Sequence, residues 1–232
     1  MSDTGHYQAI NQVLWYACPR IRTPLLDITA GTGEPLKYVL GWIEHARELR
    51  CTIPRMDELI SRLPHDKSIF DHDCPTYANE ISQRMLYIAR GKLSNHRVVF
   101  THHSAYDLPE DMAGGFNTVL CSQTFHLIPE EDKMRLVKSI HRALADDGIA
   151  IVIEEDPFRI SPTPQIEPVS LFLRSIVCPV KIRTLIAYFE TNGFTPLVET
   201  AVAPIDSEHA MHLHMFRKEK IKKDLGLTNQ RS

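Results

Sequence analysis

The residues best suited to chemistry follow a short apolar run. In Leu25-Leu26-Asp27-Ile28-Thr29-Ala30-Gly31-Thr32-Gly33-Glu34-Pro35 an acid stands inside a strand-like segment, and two glycines come soon after it. Glycine can turn at positive φ and can lie against a ligand with no Cβ in the way. Glu34 and Pro35 then suit a first helical turn. The acid meets the positive end of the helix dipole, and the proline lacks only an N–H that has no helical partner there. A strand feeding a helix through a glycine turn is how open α/β sheets build a nucleotide site.

Other reactive side chains are less organised. The acidic run Glu154-Glu155-Asp156 ends an apolar stretch and could bind a cation or a hydroxyl group. Asp71-His72-Asp73-Cys74, His102-His103, and the set His209, His212 and His214 carry metal-ligating types without recognisable zinc spacing, so no metal site is assigned. His212 and His214 alternate, and on a strand they would share one face.

Around these residues the hydrophobic spacing predicts alternating helices and strands. A helix is expected over 6–17, with Ile10, Val13, Leu14 and Ala17 on one side, and a longer one from Pro35 to Arg50. An insertion over about 51–75 carries its own helical pattern up to Pro64. It reads as a packing or oligomer element rather than a substrate lid, the other reading, because it leads into a strand's N-terminal end. Strands are expected at Tyr77–Ile81, Arg97–Thr101, Asn117–Cys121 and Ile149–Ile153. Helices are expected after Ser82 and from Pro129, the second ending at Gly148 as a C′ residue. Beyond a proline-rich stretch at 156–168 come a short apolar helix at Val169–Val177, an amphipathic helix at Val180–Glu190 and two closing strands, Phe194–Thr200 and Met211–Phe216. The reading is one domain over 1–217, with cap elements at about 6–17 and 156–180 and a polar tail at 218–232.

Composition narrows the classes. The chain has 232 residues, 43% hydrophobic and 24% charged, with a formal net charge of −3. That balance gives no global attraction for nucleic acid or an anionic membrane. Five scattered cysteines without a C-x-x-C pair favour free thiols and a reducing, cytoplasmic setting. The first residues lack a signal-peptide pattern, and no apolar run approaches the ~20 residues of a membrane span.

Five stretches in order resemble class I S-adenosylmethionine-dependent methyltransferases, in the style of those acting on small molecules. They are Asp27 to Gly33; Asn79-Glu80-Ile81-Ser82-Gln83-Arg84-Met85-Leu86; Ser104-Ala105-Tyr106-Asp107-Leu108-Pro109; Phe116 to Cys121 with Phe125-His126-Leu127-Ile128-Pro129; and Arg142-Ala143-Leu144 with Asp147-Gly148 through Glu154. The resemblance implies an α/β, Rossmann-like three-layer sandwich whose seven-stranded sheet is mostly parallel, with the last strand antiparallel. S-adenosyl-L-methionine would lie across the carboxyl ends of the first, second and fourth strands, and S-adenosyl-L-homocysteine would be the product.

The resemblance also implies the site. Gly31 and Gly33, with Thr29 and Ala30 in the same turn, would lie against the methionine part and ribose, Asp27 would fix the turn or, through water, the cofactor's amino group, and Glu80 would accept from the ribose hydroxyls. Ile81 and Met85 would wall the adenine, with Ser104, Ala105, Cys121 and Ser122 completing the cofactor contacts. His126, just past the fourth strand, is the candidate general base or a structural histidine beneath the cofactor. Tyr7, Tyr16, Phe158 and Phe172 are candidates for the acceptor's wall. Two positions depart from the family. Thr29 stands where a glycine is usual, at a cost of ~1–2 kcal/mol if φ there is positive. Ser104 stands where an aspartate often meets the adenine amine, and it is a weaker, neutral partner.

The expected partner is a small-molecule acceptor, with no nucleic acid and no membrane, and a homodimer is left open. A dinucleotide enzyme would need a third glycine where Leu36 stands. A silent methyltransferase fold serving interactions, and an enzyme methylating protein or RNA, are the other readings.

Overall fold

Successive strand residues point to opposite faces of a sheet, and here both sets are apolar. Leu25, Ile149, Ile151 and Ile153 are buried with Ala9, Ile10, Val13, Leu36 and Val39 on one face. Leu26, Val119, Ala150 and Val152 are buried with Leu136, Val137, Ile140 and Phe189 on the other. Each fully buried aliphatic side chain of this kind contributes roughly 1.5–3 kcal/mol. A sheet apolar on both faces must be covered twice, which makes three layers.

The computed structural model describes residues 4–52, 75–155, 181–204 and 210–220. The elements in chain order are α1 (Thr4–Ala17), β1 (Leu25–Asp27), α2 (Glu34–Thr52), β2 (Thr76–Asn79), α3 (Gln83–Lys92), β3 (Val98–Thr101), β4 (Phe116–Ser122), α4 (Glu130–Ala143), β5 (Leu144–Glu155), α5 (Ile182–Glu190), β6 (Phe194–Pro204) and β7 (Ala210–Lys218). Most of the insertion at 51–75, the cap segment at 156–180 with Phe158 and Phe172, and most of the tail at 218–232 lie outside the described residues.

The strands form one seven-stranded sheet in the order β3-β2-β1-β4-β5-β7-β6. β1 pairs in parallel with both β2 and β4, and β7 runs antiparallel to both β5 and β6. The fold class is therefore the one expected, with the antiparallel strand last in the chain. From β1 the chain builds outward through β2 and β3, then crosses back to β4. The order reverses between β1 and β4, where an open α/β sheet leaves a crevice at its carboxyl ends.

Three local expectations are corrected. β2 stops at Asn79, so Glu80 and Ile81 lie just past the strand, although the Glu80 amide still donates to Thr101 O at 3.2 Å. Pro129 is the N-cap of α4 rather than its first helical residue, with ψ at 152°. Gly148 is not a C′ residue. The chain leaves α4 through an extended Leu144 directly into β5. The pairing with β4 jumps from Leu144 to Ile149, and the tight path between them needs a glycine, since a Cβ on Gly148 would sit 2.9 Å from Ala145 O.

Candidate functional site

Hydrogen bonds beyond β1 carry the sheet's order into the glycine turn. Ile28 N donates to Leu120 O and Ala30 N to Asn79 O, each at 2.9 Å. The turn thus hangs between β2 and β4. Gly31 (φ +54°) and Gly33 (φ +80°) supply the left-handed residues, but they do different work. A Cβ on Gly31 would meet nothing within 4 Å, so the space above it is open. A Cβ on Gly33 would lie 3.1 Å from Leu93 Cδ1 and 3.3 Å from Ala89 Cβ, so Gly33 lets α3 pack closely beneath the turn.

Thr29 is not among the residues with positive φ. Its β-branched side chain therefore carries no left-handed strain, and its hydroxyl has a task. Thr124 Oγ1 donates to Thr29 Oγ1 at 2.7 Å, and Thr29 Oγ1 donates to Cys121 Sγ at 3.8 Å. The pair ties the turn after β1 to the loop after β4.

Glu80 does more than end a strand. It is buried, and its two carboxylate oxygens accept from Gly31 N at 2.9 Å and from Ser82 N at 2.8 Å. Each oxygen keeps a further lone pair for a ligand. Asp27, fully buried, accepts from Thr29 N through Oδ1 at 3.4 Å, while Oδ2 has no hydrogen-bond partner. Burial pushes its carboxyl up to about 7, the Glu80 charge pushing the same way and the Thr29 amide opposing.

A cavity of about 370 Å³ opens at these strand ends. Of the predicted cofactor residues, Thr29, Ala30, Gly31, Glu80, Ile81, Met85, Ala105 and Ser122 line it. Asp27, Gly33, Ser104 and Cys121 lie outside its wall. Cys121 is fully buried beneath the turn, and burial raises its thiol far above the ordinary range, followed by the Glu154 charge. Ser104 Oγ accepts from Tyr106 N at 3.3 Å and closes its own turn. Tyr7 lines the cavity from α1, whereas Tyr16 faces a separate groove with Trp15 and Tyr38.

His126 is drawn away from the cavity wall. Its Nδ1 lies 2.7 Å from Glu154 Oε2, and Glu154 Oε1 accepts from the amides of Thr124 and Phe125 at 2.8 Å each. The buried Glu154 thus shapes the loop after β4 and is not the solvated or ligand-facing acid that the run Glu154-Glu155-Asp156 suggested. That loop also contains Gln123 at φ +54°, an uncommon conformation for a residue with a Cβ, anchored by a 2.8 Å bond from its amide to Ile153 O.

Sequence reasoning missed several wall residues: His6, Ile10, Thr32, Pro35, His103, Gln123, Thr124 and Leu127. Ile10 was legible only as core. Gln123 and Thr124 gave no signal, because their role comes from the fold bringing that loop to Thr29. His212 and His214 do share a face of β7, with ring centroids 6.3 Å apart.

The site's residues fit S-adenosylmethionine. There is open space over Gly31, a carboxylate at the second strand's end, an apolar wall from Ile81 and Met85, and a buried Ser122 hydroxyl on the wall with no protein partner. A family model described as a methyltransferase domain matches residues 67–148. Among solved structures, magnesium protoporphyrin IX methyltransferase from Synechocystis PCC 6803, with bound S-adenosylmethionine, is 15% identical (TM-score 0.60), covering 93% of this chain and 80% of that one. A protein of Bacillus halodurans described as a putative methyltransferase is 12% identical (TM-score 0.57), covering 92% of this chain and 100% of that one. Geranyl diphosphate methyltransferase is 9% identical (TM-score 0.54), covering 84% and 71%. No curated protein sequence is significantly similar to the chain. At these identities the solved structures speak for the fold alone, which this chain shares with methyltransferases, and residues 67–148 are similar to a methyltransferase domain.

Proposed function

We propose that the protein is an S-adenosylmethionine-dependent methyltransferase that acts on a small molecule, transferring the methyl group to an oxygen, nitrogen or carbon atom. The observation that carries the reading is the placement of α1. His6, Tyr7 and Ile10 line the same cavity as Gly31 and Glu80, so α1 supplies part of its wall beside the cofactor residues. An aromatic and apolar wall next to the cofactor residues, within a cavity of about 370 Å³, suits a compact acceptor. The net charge of −3 also offers nothing to a polyanion. The solved neighbours include enzymes for a porphyrin and a geranyl diphosphate, which is in keeping with this reading.

S-adenosylmethionine, when bound, supplies an electrophilic methyl group on a sulfonium. The chain's own task is to hold and orient. Glu80 accepts from the ribose hydroxyls with the lone pairs left by Gly31 and Ser82. Ile81 and Met85 cover the purine, and Gly31 allows close backbone approach. Tyr7 and Leu127, exposed on the cavity wall, offer the acceptor apolar contact. Holding an acceptor in line can supply ~7–11 kcal/mol by orientation alone, so no strong base is required. His126 acts in this scheme as a positioning residue, its ring held by Glu154 under the loop that carries Thr124 and Leu127.

Among the described residues no helix is long and apolar enough to cross a membrane. Cys18 and Cys121 are buried free thiols, which suits work in a reducing compartment.

The test is turnover. The protein is incubated with S-adenosylmethionine and a panel of phenols, carboxylates, amines and carbon acids, and S-adenosylhomocysteine release is read by mass. Turnover with one chemical class supports the reading. Release only with added protein or RNA would contradict it.

A further inference from the structure

Three consecutive residues leave β3, and hydrogen bonds sort them. His102 is turned to the second strand, its Nδ1 lying 2.9 Å from Glu80 O. Ser104 closes a turn, its hydroxyl accepting from Tyr106 N and its carbonyl from Asp107 N at 3.0 Å. Between them His103 lies in the cavity wall, with Ala105 the next wall residue. The His103 backbone is fully engaged. Its amide donates to Asn79 Oδ1 at 3.0 Å and its carbonyl accepts from Asn79 Nδ2 at 3.1 Å. Asn79 is itself buried and fixed, donating to Ile28 O and accepting from Thr101 Oγ1, both at 3.0 Å. What His103 has left to offer a ligand is its imidazole, and one buried amide holds that imidazole in register with the glycine turn.

We infer that His103, and not Ser104, is the side chain that reads the polar edge of the cofactor's purine. The inference rests on the cofactor reading above and deepens it. The apolar patch of the cavity is made by Ile81 and Met85, beside the Glu80 carboxylate. A purine attached to a ribose held by Glu80 falls against that patch. Its exocyclic amine then needs a polar partner, since a polar group desolvated without one costs on the order of 1–3 kcal/mol. Neutral imidazole has both a donor and an acceptor nitrogen. The serine hydroxyl accepts from Tyr106 N, and Ser104 is not among the residues of the cavity wall.

The experiment is calorimetric titration of S-adenosylhomocysteine into wild type, His103→Ala, His103→Asn, His103→Phe and Ser104→Ala, with thermal melts to verify folding. His103 is exposed, so its variants are expected to fold. The expected result is about tenfold weaker binding for His103→Ala and His103→Phe, partial recovery in His103→Asn, and affinity within about twofold of wild type for Ser104→Ala. Unchanged affinity in His103→Ala, full recovery by phenylalanine, or a loss confined to Ser104→Ala would overturn the inference while leaving the cofactor reading intact. No binding by wild type would remove both.

Discussion

The hydroxyl of Thr124 meets the hydroxyl of Thr29 at 2.7 Å, joining segments 95 residues apart at the mouth of the cavity. A residue that looks like a defect in a glycine turn is thus a connector between the two strand ends where the sheet order reverses. Thr29→Val should destabilise by ~1 kcal/mol, the usual net value of such a bond, and Thr29→Ser should be near wild type. Thr29→Gly, which restores the family's usual residue, should also lose stability, because no left-handed strain is there to relieve. Urea unfolding reads all three.

Glu80 binds two backbone amides before any ligand arrives. Glu80→Gln keeps the shape but has one oxygen, so either Gly31 N or Ser82 N loses its acceptor. Unfolding free energy in the absence of cofactor should fall by ~1–3 kcal/mol. An unchanged midpoint would mean that Glu80 is an ordinary strand-end acid.

Glu154 accepts three hydrogen bonds and His126 contributes to only one of them. The ranking follows: Glu154→Ala should cost clearly more stability than His126→Ala, by ~2 kcal/mol or more. Equal losses would show that the histidine contact dominates the loop.

Two buried groups should give opposite pH slopes. His214, stacked on β7 near His212 and Phe216, has its imidazolium disfavoured by burial, then by His212, and its pKa is lowered to about 4. The unfolded chain takes up that proton first, so this contribution to stability falls as pH drops from about 6.5 to about 4. Asp27 holds its proton up to about 7 when folded, against 3.8 for an ordinary aspartate, so its contribution falls as pH rises between those values. Melts of His214→Phe should flatten the acid side of the profile. Melts of Asp27→Asn should flatten the decline towards neutrality.

The architecture was legible because its signal is distributed. The continuous apolar run at 149–153, helical spacing in α1 and α4, and the glycine turn all agree, and a one-residue error in any of them leaves the layering intact. The site was legible where a backbone feature demanded a residue type, as at Gly31. It was not legible where a side chain's job depends on a distant partner. Gly31 and Gly33 look alike in sequence, yet one faces open space and the other faces Leu93 and Ala89. Ser104 held the expected slot, but local turn hydrogen bonds claimed it and left His103 at the wall. Glu154 looked like part of a solvated acidic run, and its burial depends on a loop drawn in around it.

The central claim is that this cavity binds the methyl-donor cofactor, and calorimetric titration of S-adenosylhomocysteine into the wild-type protein and Glu80→Ala tests it most directly. The account predicts one site with a micromolar dissociation constant, about −8 kcal/mol, weakened at least tenfold by the substitution. No heat with wild type at high micromolar ligand, or an affinity that Glu80→Ala leaves unchanged, would contradict it.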